Sequence, residues 1–142
     1  MGRIASIHTR FNLNAREMTA RLLTAMDNPY LTIIGHPTGR LLLSREPYGV
    51  DLDPVFEKAA ARGIAMEINA DPHRLDLDWR VLRRARDAGV TISIGADAHN
   101  VAGIGNVDYG VGIARKGWLG PGDILNTRTT DEFLAFAGWR RP

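Results

Sequence analysis

The sequence predicts an α/β fold built on a parallel sheet. Short apolar segments of strand length alternate with amphipathic helical patterns, at a βα spacing of about 30 residues. The strand segments are apolar on both faces, as strands are when helices cover a parallel sheet.

The elements follow in order. Ile4-Ala5-Ser6-Ile7 is the first strand. Asn14 with Glu17 three residues on forms a capping box, and Met18, Leu22, Leu23 and Met26 recur at helical spacing. Asn28-Pro29 stops that helix. Leu31-Thr32-Ile33-Ile34 is the second strand, and Thr38 to Val50 a longer loop. Asp53-Pro54 opens the second helix, with proline at its first position and Gly63 as its carboxyl cap. The third strand is Ile64 to Ile68, and Asp78 caps a helix carrying Val81, Leu82 and Ala85 that closes at Gly89. Val90 to Ile94 is the fourth strand. Helices are expected over Val107 to Lys116 and Asp131 to Ala137.

With 142 residues the chain has the length of one domain, too short for a (β/α)₈ barrel of about 250 residues. It has no apolar run long enough to cross a membrane, no apolar leader at residues 1 to 7 and no cysteine, so disulfides, thiolate metal sites and a cysteine nucleophile are excluded. A cytoplasmic, non-membrane protein is the expectation. Of 18 basic residues only Lys58 and Lys116 are lysine. Arginine clamps phosphate well, but codon bias produces the same skew, and a net charge of +2 does not by itself call for nucleic acid.

Three of the four histidines follow strands: His8 the first, His36 the second and His99 the fourth, within Asp97-Ala98-His99. Sites in parallel α/β folds gather at strand carboxyl ends. Imidazole with carboxylate suits zinc, manganese or iron. One such histidine alone is more often a hydrogen-bonded loop residue; the set with Asp97 points to metal. His73 reads as an exposed loop histidine. Glu67, inside the third strand, is either a supporting or ligating carboxylate or the partner of an arginine. Arg10, Arg40 and Arg74 lie just beyond strand ends. They hold substrate phosphate, or they pair with Asp71, Asp76 or Glu46; the two readings stand level. The glycines of Gly103-Ile104-Gly105 and Gly110-Val111-Gly112 form no dinucleotide or phosphate-loop signature and read as turn and close-packing glycines. There is no Gly-x-Ser-x-Gly elbow. Trp79, Trp118 and Trp139 are too dispersed to form a base-stacking platform and read as packing residues.

Taken together, Ser6-Ile7-His8-Thr9-Arg10-Phe11, Gly35-His36-Pro37-Thr38-Gly39-Arg40, Glu67-Ile68-Asn69-Ala70, Arg74-Leu75-Asp76-Leu77, Asp97-Ala98-His99 and Arg115-Lys116-Gly117-Trp118 resemble the PHP (polymerase and histidinol phosphatase) domain. The nearest likeness is to the carboxyl-terminal PHP domain of bacterial family X DNA polymerases. The resemblance implies four parallel βα units, the carboxyl-terminal half of a distorted, TIM-like (β/α)₇ barrel. It implies a metal-dependent phosphodiesterase or 3′–5′ exonuclease that processes DNA 3′ ends in repair. His8, His36, Asp97 and His99 would be metal ligands, with Asp97 also a candidate catalytic base. Arg10, Arg40, Asn69 and Arg74 would contact substrate. Mn²⁺, Zn²⁺ or Fe would be the cofactor, up to three ions in a complete site.

The family's opening His-x-His motif and the Asp, His and Glu ligands after it have no counterpart here. Residues 1–142 are therefore expected to be a partial PHP domain, without the amino-terminal half-barrel and the polymerase domain. The expected partners are DNA and either the missing half-barrel or a second copy, because four strands cut from a barrel leave two unpaired edges. Two alternatives stand beside this: a non-catalytic half-barrel that binds DNA or a protein, and a small-molecule phosphatase of the histidinol phosphatase type.

Overall fold

In the computed structural model, which describes residues 2–138, four parallel strands form one sheet in sequential order, β1 to β4. The elements are β1 (Arg3–Ala5), α1 (Ala15–Ala25), β2 (Leu31–Ile34), α2 (Leu52–Arg62), β3 (Ala65–Asn69), α3 (Trp79–Asp87), β4 (Ile92–Gly95), α4 (Val107–Lys116) and α5 (Thr130–Gly138). Each strand pairs with its successor, the order of a half barrel, with no reversal of the kind that marks a doubly wound sheet.

Alternation along β3 divides its two faces. Met66 and Ile68 join the main core with Met18, Leu22, Phe56, Leu82 and Ile92. Ala65 turns the other way, onto Leu125 and Phe136. Glu67 and Asn69, in step with Ala65, are therefore carried toward the carboxyl end of that second face.

The local signals act as their chemistry dictates. Asn14 and Glu17 form both bonds of the capping box. Asp78 accepts from the backbone N–H of Arg80, and Gly63 ends α2 in the left-handed region at φ 56°. Three expectations shift. β1 ends at Ala5, where its pairing with β2 stops at Ile34. α2 begins at Leu52, capped by Asp51, so Pro54 falls in the first turn at a position whose N–H lacks an intrahelical partner in any case. The third shift concerns the sheet edges. Two open edges are expected, but β4 is covered. Ile92 bridges Ile124 in parallel, and the Asn126 carboxamide accepts from the Ile94 N–H (2.8 Å) and donates to the Ile94 carbonyl (2.9 Å), as a neighbouring strand would. Only β1, with Ile4 63% exposed, presents a free edge among the described residues. The packing expected of Trp139 lies outside the described residues.

Two glycines of α4 give a paired prediction. A Cβ on Gly110 would stand 2.5 Å from Ile94 Cγ2 and 2.9 Å from Ala70 Cβ, whereas one on Gly112 meets nothing within 4 Å. Gly110→Ala is expected to destabilise by about 1–3 kcal/mol through overpacking. Gly112→Ala is expected to stabilise by about 0.5–1 kcal/mol through helix propensity. Urea unfolding of the two variants checks both signs.

Candidate active site at the strand carboxyl ends

Every strand exit holds a non-glycine residue in the left-handed region. These are Arg10 (φ 57°) after β1, His36 (φ 30°) after β2, Leu75 (φ 46°) after β3 and Asp97 (φ 50°) after β4. Each costs about 1–2 kcal/mol relative to an ordinary backbone, and such strain collects where side chains must be aimed. Three of the four are residues that the sequence pattern singles out.

Glu67 organises the centre. Its buried carboxylate accepts from the His36 N–H at 2.8 Å and from the Asn69 amide at 3.3 Å. The same Asn69 nitrogen donates to Asp97 Oδ2 at 3.0 Å, and Arg74 Nε lies 3.5 Å from that oxygen. One polar chain thus joins the exits of β2, β3 and β4. Gly95 makes room for Glu67, and Gly35 lies against its other carboxylate oxygen. A Cβ on Gly95 would stand 2.2 Å from Glu67 Oε1, and one on Gly35 would stand 3.4 Å from Oε2. Burial raises the Glu67 pKa, against the lowering effect of the His36 N–H and the Asn69 amide.

His36 is buried, and its Nδ1 has no hydrogen-bond partner. Burial lowers its pKa, helped by the nearby Arg74 charge, so the imidazole is neutral at pH 7. The His8 ring meets it edge-on with centroids 5.0 Å apart, and His8 Nε2 shares a 2.7 Å hydrogen bond with the Ser6 hydroxyl. His99 is exposed, and its Nδ1 lies 2.7 Å from the Asp97 carbonyl oxygen, which leaves Nε2 outward. Two imidazoles beside a carboxylate, one of them with an orphaned buried nitrogen, match the donor set that divalent N/O-binding metals take. Among the described residues no three His, Asp or Glu side chains stand together as a ready-made ligand group, so the chain offers part of a metal site.

The arginines separate. The Arg10 side chain is exposed and makes no hydrogen bond or ion pair among the described residues; its carbonyl accepts from the Leu13 N–H. Arg74 is half-buried between Asp97 and the Arg40 carbonyl. Arg40 is engaged at all three nitrogens, by the carbonyls of Arg74 and Leu75 and by Asp78, and so staples the loop after β2 to the loop after β3. His73 is an exposed loop residue bonded to Asp71 at 2.9 Å.

Asp76, which the sequence offers within Arg74-Leu75-Asp76-Leu77 and as an arginine partner, takes a different role. Fully buried, it accepts from the N–H groups of Thr38 (3.0 Å) and Gly39 (2.9 Å) and so holds the turn that carries His36. Burial pushes its pKa up to about 6, against those hydrogen bonds and the Arg40 charge. The folded protein therefore holds this proton up to about pH 6, while the unfolded chain releases it near 3.8. The associated stability is complete below 3.8 and is lost as pH rises through 6. That loss amounts to about 3 kcal/mol at most. Urea unfolding between pH 4 and 7.5 is expected to show this fall in the wild type and not in Asp76→Asn.

The chain is similar in sequence to several known proteins. The chain is 43% identical over 133 residues, 94% of its length, to the DNA polymerase/3′-5′ exonuclease PolX of Bacillus subtilis (strain 168). It is 34% identical over 98 residues, 65% of its length, to a probable phosphatase of Clostridium novyi (strain NT). To a probable phosphatase of Thermoanaerobacter sp. (strain X514) it is 26% identical over 115 residues. The chain spans 23% of the length of PolX and 38% and 44% of the two phosphatases. No family model matches the chain.

Proposed function

Since the chain is a PHP-type relative of PolX, we propose that it forms the carboxyl-terminal part of a metal-dependent phosphoesterase domain that processes the 3′ ends of DNA. The observation that carries this reading is the buried, neutral His36 with its unpartnered Nδ1, set edge-on to His8 within the Glu67–Asn69–Asp97 chain.

In this reading His8, His36, Asp97 and His99 hold the metal, Mn²⁺ or Zn²⁺ by donor type, or Fe. When bound, such an ion supplies Lewis-acid activation of water and polarises the phosphoryl group. The chain's own groups do the rest. Glu67 and Asn69 fix the His36 backbone and the Asp97 carboxylate, so neither swings when substrate arrives. Arg74 and the unpaired Arg10 meet phosphate oxygens and offset the charge that builds during hydrolysis. Asp97 is a ligand first, and accepting a proton from the attacking water is its second role. The free β1 edge is where the rest of the barrel, or a second copy, adds its strand and the remaining ligands.

A small-molecule phosphatase is the second reading, favoured by the probable phosphatases among the relatives. Cleavage of a 3′-labelled oligodeoxynucleotide and of a small phosphomonoester, each with added Mn²⁺, separates the two. Release of terminal nucleotides by the wild type, absent from His36→Ala, supports the nuclease. Turnover of the monoester alone supports the phosphatase. No cleavage of either above the His36→Ala control overturns enzymatic action by this chain.

A further inference from the structure

The Glu67 chain joins the exits of β2, β3 and β4 but leaves out the exit of β1, which carries His8 and Arg10. The last backbone tie between the first two exits is the Gly35 N–H on the Ala5 carbonyl, at 2.8 Å. Beyond it, among the described residues, no hydrogen bond or ion pair joins residues 6–13 to residues 36–50. The bonds that the β1 exit does make run elsewhere. Ser6 meets His8 within the same segment, and Arg21 of α1 donates to the Thr9 carbonyl at 2.9 Å. Neither spans the gap from His8 to His36.

One ring crosses it instead. Phe11, three residues after His8, reaches the loop that follows β2. The Arg45 guanidinium carbon lies 4.1 Å from the centre of the Phe11 ring. The Tyr48 ring is stacked with the same ring, at 6.3 Å between centroids and 22° between planes. Both of these residues are fastened to the turn that carries His36. Arg45 donates to the Gly39 carbonyl from Nε (3.0 Å) and from a terminal nitrogen (2.7 Å). The Tyr48 hydroxyl donates to the Pro37 carbonyl at 2.6 Å, and its N–H donates to the Thr38 carbonyl at 3.1 Å. A planar guanidinium bonds a carbonyl with its edge while its face meets a ring, which an ammonium group cannot do. Packing alone does not call for this arrangement. Phe11 is only half-buried at the rim of the main core, a place that leucine suits as well. A cation held over the ring and bonded to the neighbouring exit needs an aromatic residue.

We propose that Phe11 and Arg45 are positioning residues that clamp the β1 exit to the β2 exit and so hold His8 edge-on to His36, the spacing on which metal binding by the two imidazoles depends. The proposal rests on the metal-site reading above. Two measurements on the full chain test it. The first, on metal-free protein with carbon-13-labelled histidine, is the nuclear Overhauser effect between the ring protons of His8 and His36, rings whose centroids lie 5.0 Å apart. The second is calorimetric titration of Mn²⁺. Phe11→Leu keeps an apolar side chain and leaves the bonds of Arg45 and Tyr48 to the His36 turn untouched. It is expected to lose the Overhauser effect and to bind Mn²⁺ about tenfold more weakly, the scale on which groups that orient metal ligands act. Arg45→Met is expected to match it, and Phe11→Tyr, which keeps the ring, to restore both readouts. A lower urea midpoint in Phe11→Leu, with the Overhauser effect and Mn²⁺ binding as in the wild type, would make the ring structural only and overturn the clamp. Loss of the Overhauser effect with unchanged Mn²⁺ affinity would also overturn it, because the spacing would then not matter to the ion. No Mn²⁺ binding by the wild type would overturn the metal-site reading, and the proposal with it.

Discussion

Asp76→Ala is expected to remove about 2–4 kcal/mol of stability at pH 7. Truncation strands the N–H groups of Thr38 and Gly39 in a site from which water is excluded. Each stranded donor costs about 1–3 kcal/mol. Part of this is offset, because the carboxylate is itself held in a desolvating place, as its pKa of about 6 shows. The loss is therefore larger at pH 5, where the native carboxyl is mostly protonated and that relief is gone. The consequence reaches the site. Residues 36 to 39 form one turn, closed by the Gly39 N–H on the His36 carbonyl at 3.0 Å, so releasing Thr38 and Gly39 also releases His36. Urea unfolding at pH 5 and 7 measures the effect, and a loss under 1 kcal/mol would show that the turn holds itself.

The second large effect is chemical. His36→Ala is expected to lower phosphoester cleavage on the order of 100-fold or more, as removal of a metal-holding group does. Its stability is expected to stay within about 1 kcal/mol of wild type. The variant loses a buried ring, but it also removes an unsatisfied buried nitrogen, and its backbone bonds to Glu67 and Gly39 are untouched. That split distinguishes a ligand from a packing residue. A fall in stability with cleavage unchanged would make His36 structural.

Much of the fold is legible because its signals are local. The Asn14 capping box, β2 at Leu31–Ile34 and α4 at Val107–Lys116 each depend on residues within one or two turns. What sequence reading misses depends on contacts across the sheet. Asn126 closes the β4 edge from 32 residues away, and no periodicity announces that a carboxamide stands in for a strand. The site divides in the same way. The positions of His8, His36 and Asp97 after strands are visible in the chain, whereas the roles of Glu67 and Asp76 are not. Glu67 reads as one ambiguous carboxylate until Gly35 and Gly95 are seen to flank it from the neighbouring strands. Asp76 reads as a loop acid, and only the fold brings the turn after β2 onto it. The protein partners of the arginines are also set by the fold, across the sheet. It engages Arg40 completely, leaves Arg10 free and sets Arg74 beside Asp97.

The central claim is that the strand exits form a metal-holding phosphoesterase site. It is tested most directly by calorimetric titration of Mn²⁺ into the wild-type chain and into His36→Ala. The account predicts saturable binding of at least one ion per wild-type chain and none in the variant. Equal binding by the two proteins, or no binding by the wild type, would contradict it.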